Sequence, residues 1–452
     1  MRHCTILVTT LLLLLNSMVL FAQEDFKAEE TDLQQPTYKE FAATSNEENI
    51  FSAQTSFPGE QWGCRQLPSC RSKGNAEDSP FRLFRDGSRL KFEGWVESGL
   101  FTNAHGATSK YGPDGEGLLD NSGNGPNFGA GLRTTDYNMN QLWGRFIREM
   151  NCENGLDWGL RADLLYGMNG YGVQSEDSFD SGWGKGDYGL GFHQLYAEMG
   201  YKKLTALYGK FGTPIGWEST PSWDNFFYTH SYCFNIEPCT HTGVLLSYQL
   251  IDELKLVGGW SAGMESGFAN RYGDQSVIAG LELALTEKCT LYYYMTQGKL
   301  KNGLDAKGFD RFSSGLDTNY FIQSLCFEWL PTEKWTYEFQ YNLNNLNEFG
   351  GGDRVSAYGI NHHLIYKIND KWGVGLRAEW LRDNGVLAYE DMFGNSNNSD
   401  YVELTLGVNF NPTERLRIRP EIRYDHAYKN PIFAYGTKNE QFSGGFAVLY
   451  GF

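Results

Sequence analysis

The stretch Trp335-Thr336-Tyr337-Glu338-Phe339-Gln340-Tyr341-Asn342-Leu343 decides the fold class. Every odd residue is apolar and every even one polar. A strand places successive side chains on opposite faces, so this segment has one greasy face and one wet face. The same alternation recurs at Leu156–Leu164, Trp372–Trp380, Val402–Phe410 and Leu416–Tyr424. Runs of about ten alternating residues are the mark of a strand that crosses a bilayer within a closed barrel. A soluble sandwich alternates too. Here the polar face carries small residues and charges of both signs. The apolar face ends repeatedly in Trp, Tyr or Phe, as an aromatic girdle does.

The connections sort by length. Short turns fall at Glu153-Asn154-Gly155, Tyr201-Lys202-Lys203, Ile251-Asp252, Thr286-Glu287-Lys288, Pro331–Lys334, Asn369-Asp370-Lys371 and Pro412–Arg415. Long loops fall near 103–137, 168–190, 212–239, 265–274, 299–318, 344–354, 383–400 and 427–440. Short and long alternate along the chain. This predicts an all-β transmembrane antiparallel barrel of about sixteen strands, within about 14–18, with short periplasmic turns and long extracellular loops.

Composition agrees. The chain has 452 residues, 53 Gly and 15% aromatic residues, and a net charge of −17, which argues against nucleic acid as a partner. Mean hydropathy is −0.46. That value would exclude a helical membrane protein, but a barrel exposes only alternate residues to lipid. Residues 6–22, after the basic Arg2, form an apolar run ending in Leu20-Phe21-Ala22, and residues 1–22 read as a secretory signal peptide. Residues 23–88 are polar and aperiodic, a flexible periplasmic segment, and 89–452 are the barrel. The alternating final strand ends in Tyr450 and Phe452, the aromatic pattern that the barrel-assembly machinery of Gram-negative bacteria reads. Location in the outer membrane, in contact with its lipid, follows.

Eight cysteines are present. Two close pairs, Cys64 with Cys70 and Cys233 with Cys239, are candidate disulfides in an oxidising compartment. Neither pair has metal-finger spacing, and no metal or cofactor is expected. The Asp/Asn/Gly-rich stretches 111–127 and 391–400 match no calcium motif. The eight histidines sit in no nucleophile or metal motif, and His362 and His363, consecutive on a strand, must face opposite sides. No catalytic residues are expected.

Three stretches resemble the OmpL-like putative beta-barrel porin-2 family of bacterial outer-membrane proteins: LKFEGWVESGLF (Leu90–Phe101), GLRADLLYGMNG (Gly159–Gly170), and GKFGTPIGWEST (Gly209–Thr220) with FFYTHS (Phe226–Ser231) after it. The resemblance implies an outer-membrane barrel acting as a porin, with no catalytic residues, and with Lys210 at a lumen wall leading into a long loop.

The polar faces nominate pore-lining residues: Lys91, Glu93, Arg161, Asp163, Glu198, Lys210, Lys255, Glu282, Glu338, Arg377, Glu379, Glu403, Arg417, Arg419, Glu421 and Arg423. Opposed charges across a constriction order water and favour dipolar solutes; cross-strand pairing that merely holds the wall is the alternative role. The loop from Gly212 to Cys239 is the candidate constriction, through Trp217, Glu218, Trp223, Asp224 and His230. It either folds into the lumen or covers the barrel mouth. The expected function is passive diffusion of ions and small hydrophilic solutes through a porin. A structural or surface-interaction barrel with a blocked lumen is the alternative, and an outer-membrane hydrolase a more distant one. By fold-level analogy, a homotrimer is the suggested assembly.

Overall fold

The computed structural model describes residues 89–104, 137–152, 155–175, 178–185, 188–270, 272–301, 317–347, 354–387, 398–429, 431–433 and 437–452. The expected signal peptide (1–22), the polar segment 23–88 and the stretch 111–127 lie outside the described residues, as does most of 391–400.

Sixteen long antiparallel strands close into one barrel. In chain order they are β1 (Leu90–Asn103), β2 (Tyr137–Arg148), β3 (Leu156–Gly167), β5 (Tyr188–Tyr201), β6 (Leu204–Gly212), β7 (Thr240–Ile251), β8 (Leu254–Met264), β9 (Gln275–Thr286), β10 (Cys289–Leu300), β11 (Thr318–Thr332), β12 (Trp335–Asn347), β13 (Val355–Lys367), β14 (Trp372–Asn384), β15 (Asn398–Thr413), β16 (Leu416–Ala427) and β17 (Glu440–Gly451). The two-residue β4 (Gly184–Lys185) is a ribbon on the edge of β5 and no part of the wall. Each wall strand pairs with its neighbour in sequence, and β1 closes on β17 through nine residue pairs from Trp95↔Gly451 to Asn103↔Ser443. Phe452 extends the seam: its N–H donates to the Gly94 carbonyl at 2.8 Å, and the Gly94 N–H donates back at 3.0 Å. Closure leaves no open edge, which a spanning sheet requires.

The short connections share a local device. In Thr286-Glu287-Lys288, Thr332-Glu333-Lys334 and Thr413-Glu414-Arg415, each threonine hydroxyl accepts the backbone N–H two residues on, at 3.2, 3.2 and 3.4 Å. Asn369 does the same for Lys371 at 2.9 Å. These side chains substitute for a backbone turn partner, so the chain reverses within two to four residues. Near this end the outer face carries exposed rings, among them Trp158, Tyr201, Trp329, Trp335, Trp372 and Tyr450. Trp335 packs on Tyr366 at 4.6 Å and Trp372 on Phe410 at 4.2 Å. This is the interfacial girdle that the sequence pattern predicts.

The inner face is not uniformly wet. On β13–β17 it is strongly polar, as the alternation predicts. On β6–β11 it carries Leu207, Leu245, Val257, Ile278, Tyr292, Tyr294, Ile322 and Cys326, all buried in one apolar cluster. This corrects the expectation of a polar lumen all round. The apolar cluster forms because residues 213–239 turn inward and give those side chains something to pack against.

A loop clamped inside the barrel

Register lays out the inner face of β14–β17 in rows. Glu379, Glu403 and Asp425 stand side by side, then Arg377, Thr405, Arg423 and Ser443, then Gly375, Gly407, Glu421 and Gly445. Arg419 and Arg417 continue along β16 towards the periplasmic end. Such a wall offers donors, acceptors and bare backbone in a fixed pattern.

The loop 213–239 lies on that pattern. Arg377 donates to the Glu218 carboxylate at 2.6 Å and to the Thr229 carbonyl at 2.6 Å, while its other edge meets Glu403 at 3.0 Å. Arg419 donates to the carbonyls of Ser222, Asn225 and Phe227 at 2.9, 3.0 and 3.0 Å, and pairs with Glu97 of β1. Arg423 donates to the His230 carbonyl at 2.6 Å and pairs with Asp425 at 2.7 Å. Arg417 donates to the Trp223 carbonyl at 2.9 Å. All four guanidinium groups also lie over a loop ring: Arg377 over Phe227, Arg417 over Trp223, Arg419 over Tyr228 and Arg423 over Tyr232. A planar guanidinium offers five donors in a fork and a face that stacks, so one side chain grips both backbone and ring.

The wall carboxylates take the opposite partners. Glu421 accepts the Tyr228 N–H at 2.7 Å and the Thr229 hydroxyl. Glu379 accepts the N–H groups of Tyr232 and Cys233 at 2.6 and 2.5 Å, at the start of the single helical turn Tyr232–Asn235. Asp425 accepts the Tyr232 hydroxyl at 2.9 Å. From β2, Gln141 binds Thr220 and Ser222. From β12, Gln340 and Asn342 bind Glu237. Loop N–H groups that would otherwise be orphaned inside the barrel thus find acceptors.

Packing completes the seat. Gly373, Gly375 and Gly407 leave a floor against which Phe226 and Phe227 lie; a Cβ at Gly375 would collide with the Phe226 ring. At the loop's neck, Gly216 has φ of 97°, and a Cβ there would collide with the Glu237 carboxylate, so glycine is required on both counts. Trp217 and Ile215 cross to the other wall, where Trp217 meets the Tyr292 ring edge-on at 6.4 Å.

Of the constriction candidates, Glu218 is the centre: besides Arg377 it accepts the Ser231 N–H and hydroxyl at 2.7 and 2.6 Å. Burial alone would raise its carboxyl, yet Arg377 and His363 beside it hold it well below the usual carboxylate range. His363 bridges it to Glu338, 3.0 Å away on the wall. His362 faces outward to the Tyr337 hydroxyl, so the two histidines do take opposite faces. His230 stacks on Phe234 at 4.0 Å. Trp223 and Asp224 sit at the loop's tip, Asp224 within 3.8 Å of Arg145.

The remaining pore-lining candidates divide by depth. Lys91 and Glu93 point inward near the periplasmic mouth, their side chains 43% and 49% exposed, paired with Glu149 and Arg145. Glu198 is half-buried. Arg161 and Asp163 form a buried pair at 2.7 Å, shared with Arg145, and Lys255 meets Glu282 at 3.4 Å. Lys210 is wholly buried, its ammonium on the Val173 carbonyl at 2.6 Å, and it faces no open lumen. Arg377, Arg417, Arg419 and Arg423 are each 2% exposed or less, so they lie beneath the loop rather than facing water.

The expected disulfide between Cys233 and Cys239 is not formed. Both are buried thiols in different clusters: Cys233 with Tyr232, Leu381 and Tyr401, Cys239 with Trp95, Trp143 and Leu165. The helical turn and the wall contacts around it draw the two apart, which linear spacing does not reveal. The other expected disulfide, between Cys64 and Cys70, lies outside the described residues, so among those residues no disulfide is formed at all. Sequence reading also passed over Gln141, Glu237 and Asp425 as loop anchors. Among the described residues no group of His, Cys, Asp and Glu is placed to hold a metal.

A closed sixteen-stranded wall with a long loop folded inside it defines an outer-membrane barrel of porin architecture, located in the bacterial outer membrane. The chain belongs to the putative beta-barrel porin-2, OmpL-like family, whose model matches residues 89–452. Among solved structures it is similar to OmpT of Vibrio cholerae in its trimer form, at 12% identity and a TM-score of 0.50, over 80% of this chain and 99% of that one. It is likewise similar to the anion-selective porin from Comamonas acidovorans, at 9% identity and a TM-score of 0.50, over 80% and 99%. At these identities the likeness is one of fold. No curated protein sequence matches the chain.

Proposed function

We propose that the protein is a porin for passive diffusion of ions and small hydrophilic solutes, with residues 213–239 as its constriction. The observation that carries this reading is the loop itself. It enters the lumen, and wall arginines and carboxylates hold it at mid-barrel. A barrel of this strand number is wide enough for an aqueous channel, and an inward loop sets its working width. Family membership and the two porin-fold neighbours support a transport role over an enzymatic one. The V. cholerae neighbour in trimer form makes a homotrimer the assembly to test.

A sealed lumen is the second reading, favoured by one observation: nearly every residue of the loop is buried, leaving Trp223, Asp224, Asn225, Asn235 and Glu237 partly open. Planar-bilayer conductance of the folded protein decides between them. Steady single-channel steps support the porin. Silence from the wild type, with steps from a variant lacking loop residues 217–236, identifies a sealed barrel.

A further inference from the structure

The outer wall of β15–β17 and β1 carries a trough that the transport reading does not use. Its volume is about 610 Å³. Register explains it. Leu406, Ile422, Gly444 and Thr102 form one row across four strands on the lipid-facing side. Gly444 has no side chain and Thr102 a short one, while Phe442 and Phe446 stand on either side of Gly444 along β17 as exposed ridges. One row below, Pro420 has no N–H to donate, and the β15–β16 ladder lacks its bridges between Gly407↔Glu421 and Phe410↔Ile418. Glu421 and Ser443 reach the trough only from behind, because their side chains are buried on the inner face. The trough therefore runs from mid-wall, at Pro420 and Val408, up to the extracellular end of β1 at Asn103 and Ala104.

A second feature lies above it. The β16–β17 connection, at the extracellular end of two strands that line the trough, exposes Lys429 and Lys438; between Lys438 and Phe442 the exposed Glu440 accepts the Tyr424 hydroxyl at 3.1 Å. An apolar trough in the hydrocarbon layer, with two cations against one carboxylate at the extracellular end of the same strands, matches an amphiphile with an apolar chain and an anionic head.

We infer that this face is a binding site for a phosphate-bearing lipid of the outer leaflet, with one acyl chain along the Leu406–Ile422–Gly444–Thr102 row and the phosphate at Lys429 and Lys438. A second barrel fits less well. Two convex walls meet on their ridges, here Phe442 and Phe446, and leave the trough between them unfilled. A flexible methylene chain fills it and covers the exposed backbone at Gly444.

The test uses the folded protein in phosphatidylcholine vesicles doped with lipid A whose acyl chain carries a diazirine. A parallel set holds phosphatidylcholine labelled on the same chain. After illumination, lipid A adducts are expected to concentrate on peptides containing Leu406–Val408, Pro420–Ile422 and Phe442–Gly445. Gly444→Phe, which fills the trough, should lower them at least fivefold. Should Gly444→Phe not give a heat-modifiable folded barrel, Thr102→Trp blocks the same row. Lys429→Gln with Lys438→Gln should abolish the preference for lipid A over phosphatidylcholine while leaving total adducts at the trough. Adducts spread evenly around the wall overturn the inference, as does protein–protein cross-linking through this face. Equal labelling by both lipids in the wild type removes the phosphate part and refutes the site as stated.

Discussion

Arg377→Met is the sharpest test of the clamp. The wild-type guanidinium is fully buried and satisfies two carboxylates, Glu218 of the loop at 2.6 Å and Glu403 of the wall at 3.0 Å, along with the Thr229 carbonyl. Methionine replaces the volume and none of the donors. Removing one partner of a buried pair costs about 3–5 kcal/mol, because the remaining charge is stranded. Rearrangement of donors around the stranded carboxylates limits the loss, so the lower end applies. Since Glu403 belongs to the wall whether or not the loop is seated, the part that acts on the loop is the Glu218 and Thr229 share, roughly 2 kcal/mol or more. At about 1.4 kcal/mol per tenfold, seating of the loop weakens by at least an order of magnitude. The assay is single-channel recording of barrels that still show heat-modifiable gel mobility. The expected result is larger or noisier conductance than wild type. Arg377→Met with Glu218→Gln should recover part of the wild-type behaviour, since no charge then remains stranded on the loop. A folded Arg377→Met barrel with unchanged conductance and unchanged open-channel noise would refute the claim that this pair holds the constriction.

Gly375→Leu places a side chain where the Phe226 ring lies, at a cost of roughly 1–3 kcal/mol of overpacking, and should raise conductance noise; Gly258→Ala, with nothing within 4 Å, should behave as wild type. Alkylation under denaturing, non-reducing conditions should modify both Cys233 and Cys239, and a peptide map showing them bonded would mean the loop takes another path. Lys438→Cys should be labelled by an impermeant maleimide on intact cells while Asp252→Cys and Asp370→Cys are not, and the reverse result would invert the barrel. For selectivity, the wall arginines are consumed by the loop, and carboxylates such as Glu93, Glu149 and Asp224 remain partly open. The reversal potential across a salt gradient should therefore show weak cation preference, fading as salt shortens the Debye length below about 8 Å; clear anion preference would place unpaired arginine at the narrowest point.

The sequence determined the barrel because its signal is local. Each strand declares itself within about ten residues, through a period of two set by the pleat. Each turn declares itself within four, as in Thr286-Glu287-Lys288. The strand count, the eight loop positions and the inward set on β12–β16 were legible on that basis, and so was the loop 212–239 as the segment to watch. What that loop does was decided only in three dimensions. Glu379 and Tyr232, Arg419 and Phe227, and Arg377 and Thr229 are joined across 147, 192 and 148 residues. No spacing rule couples positions so far apart. Alternation tells which way Arg377, Arg419 and Arg423 point, not whether water or backbone awaits them. The same limit explains the two separate thiols. Cys233 and Cys239 are near in sequence, but helical turn and wall contacts between them fix their separation in space. The apolar inner face of β6–β11 breaks the alternation for the same reason: Leu245, Ile278 and Ile322 point inward because Ile215 and Trp217 arrive from the loop to cover them.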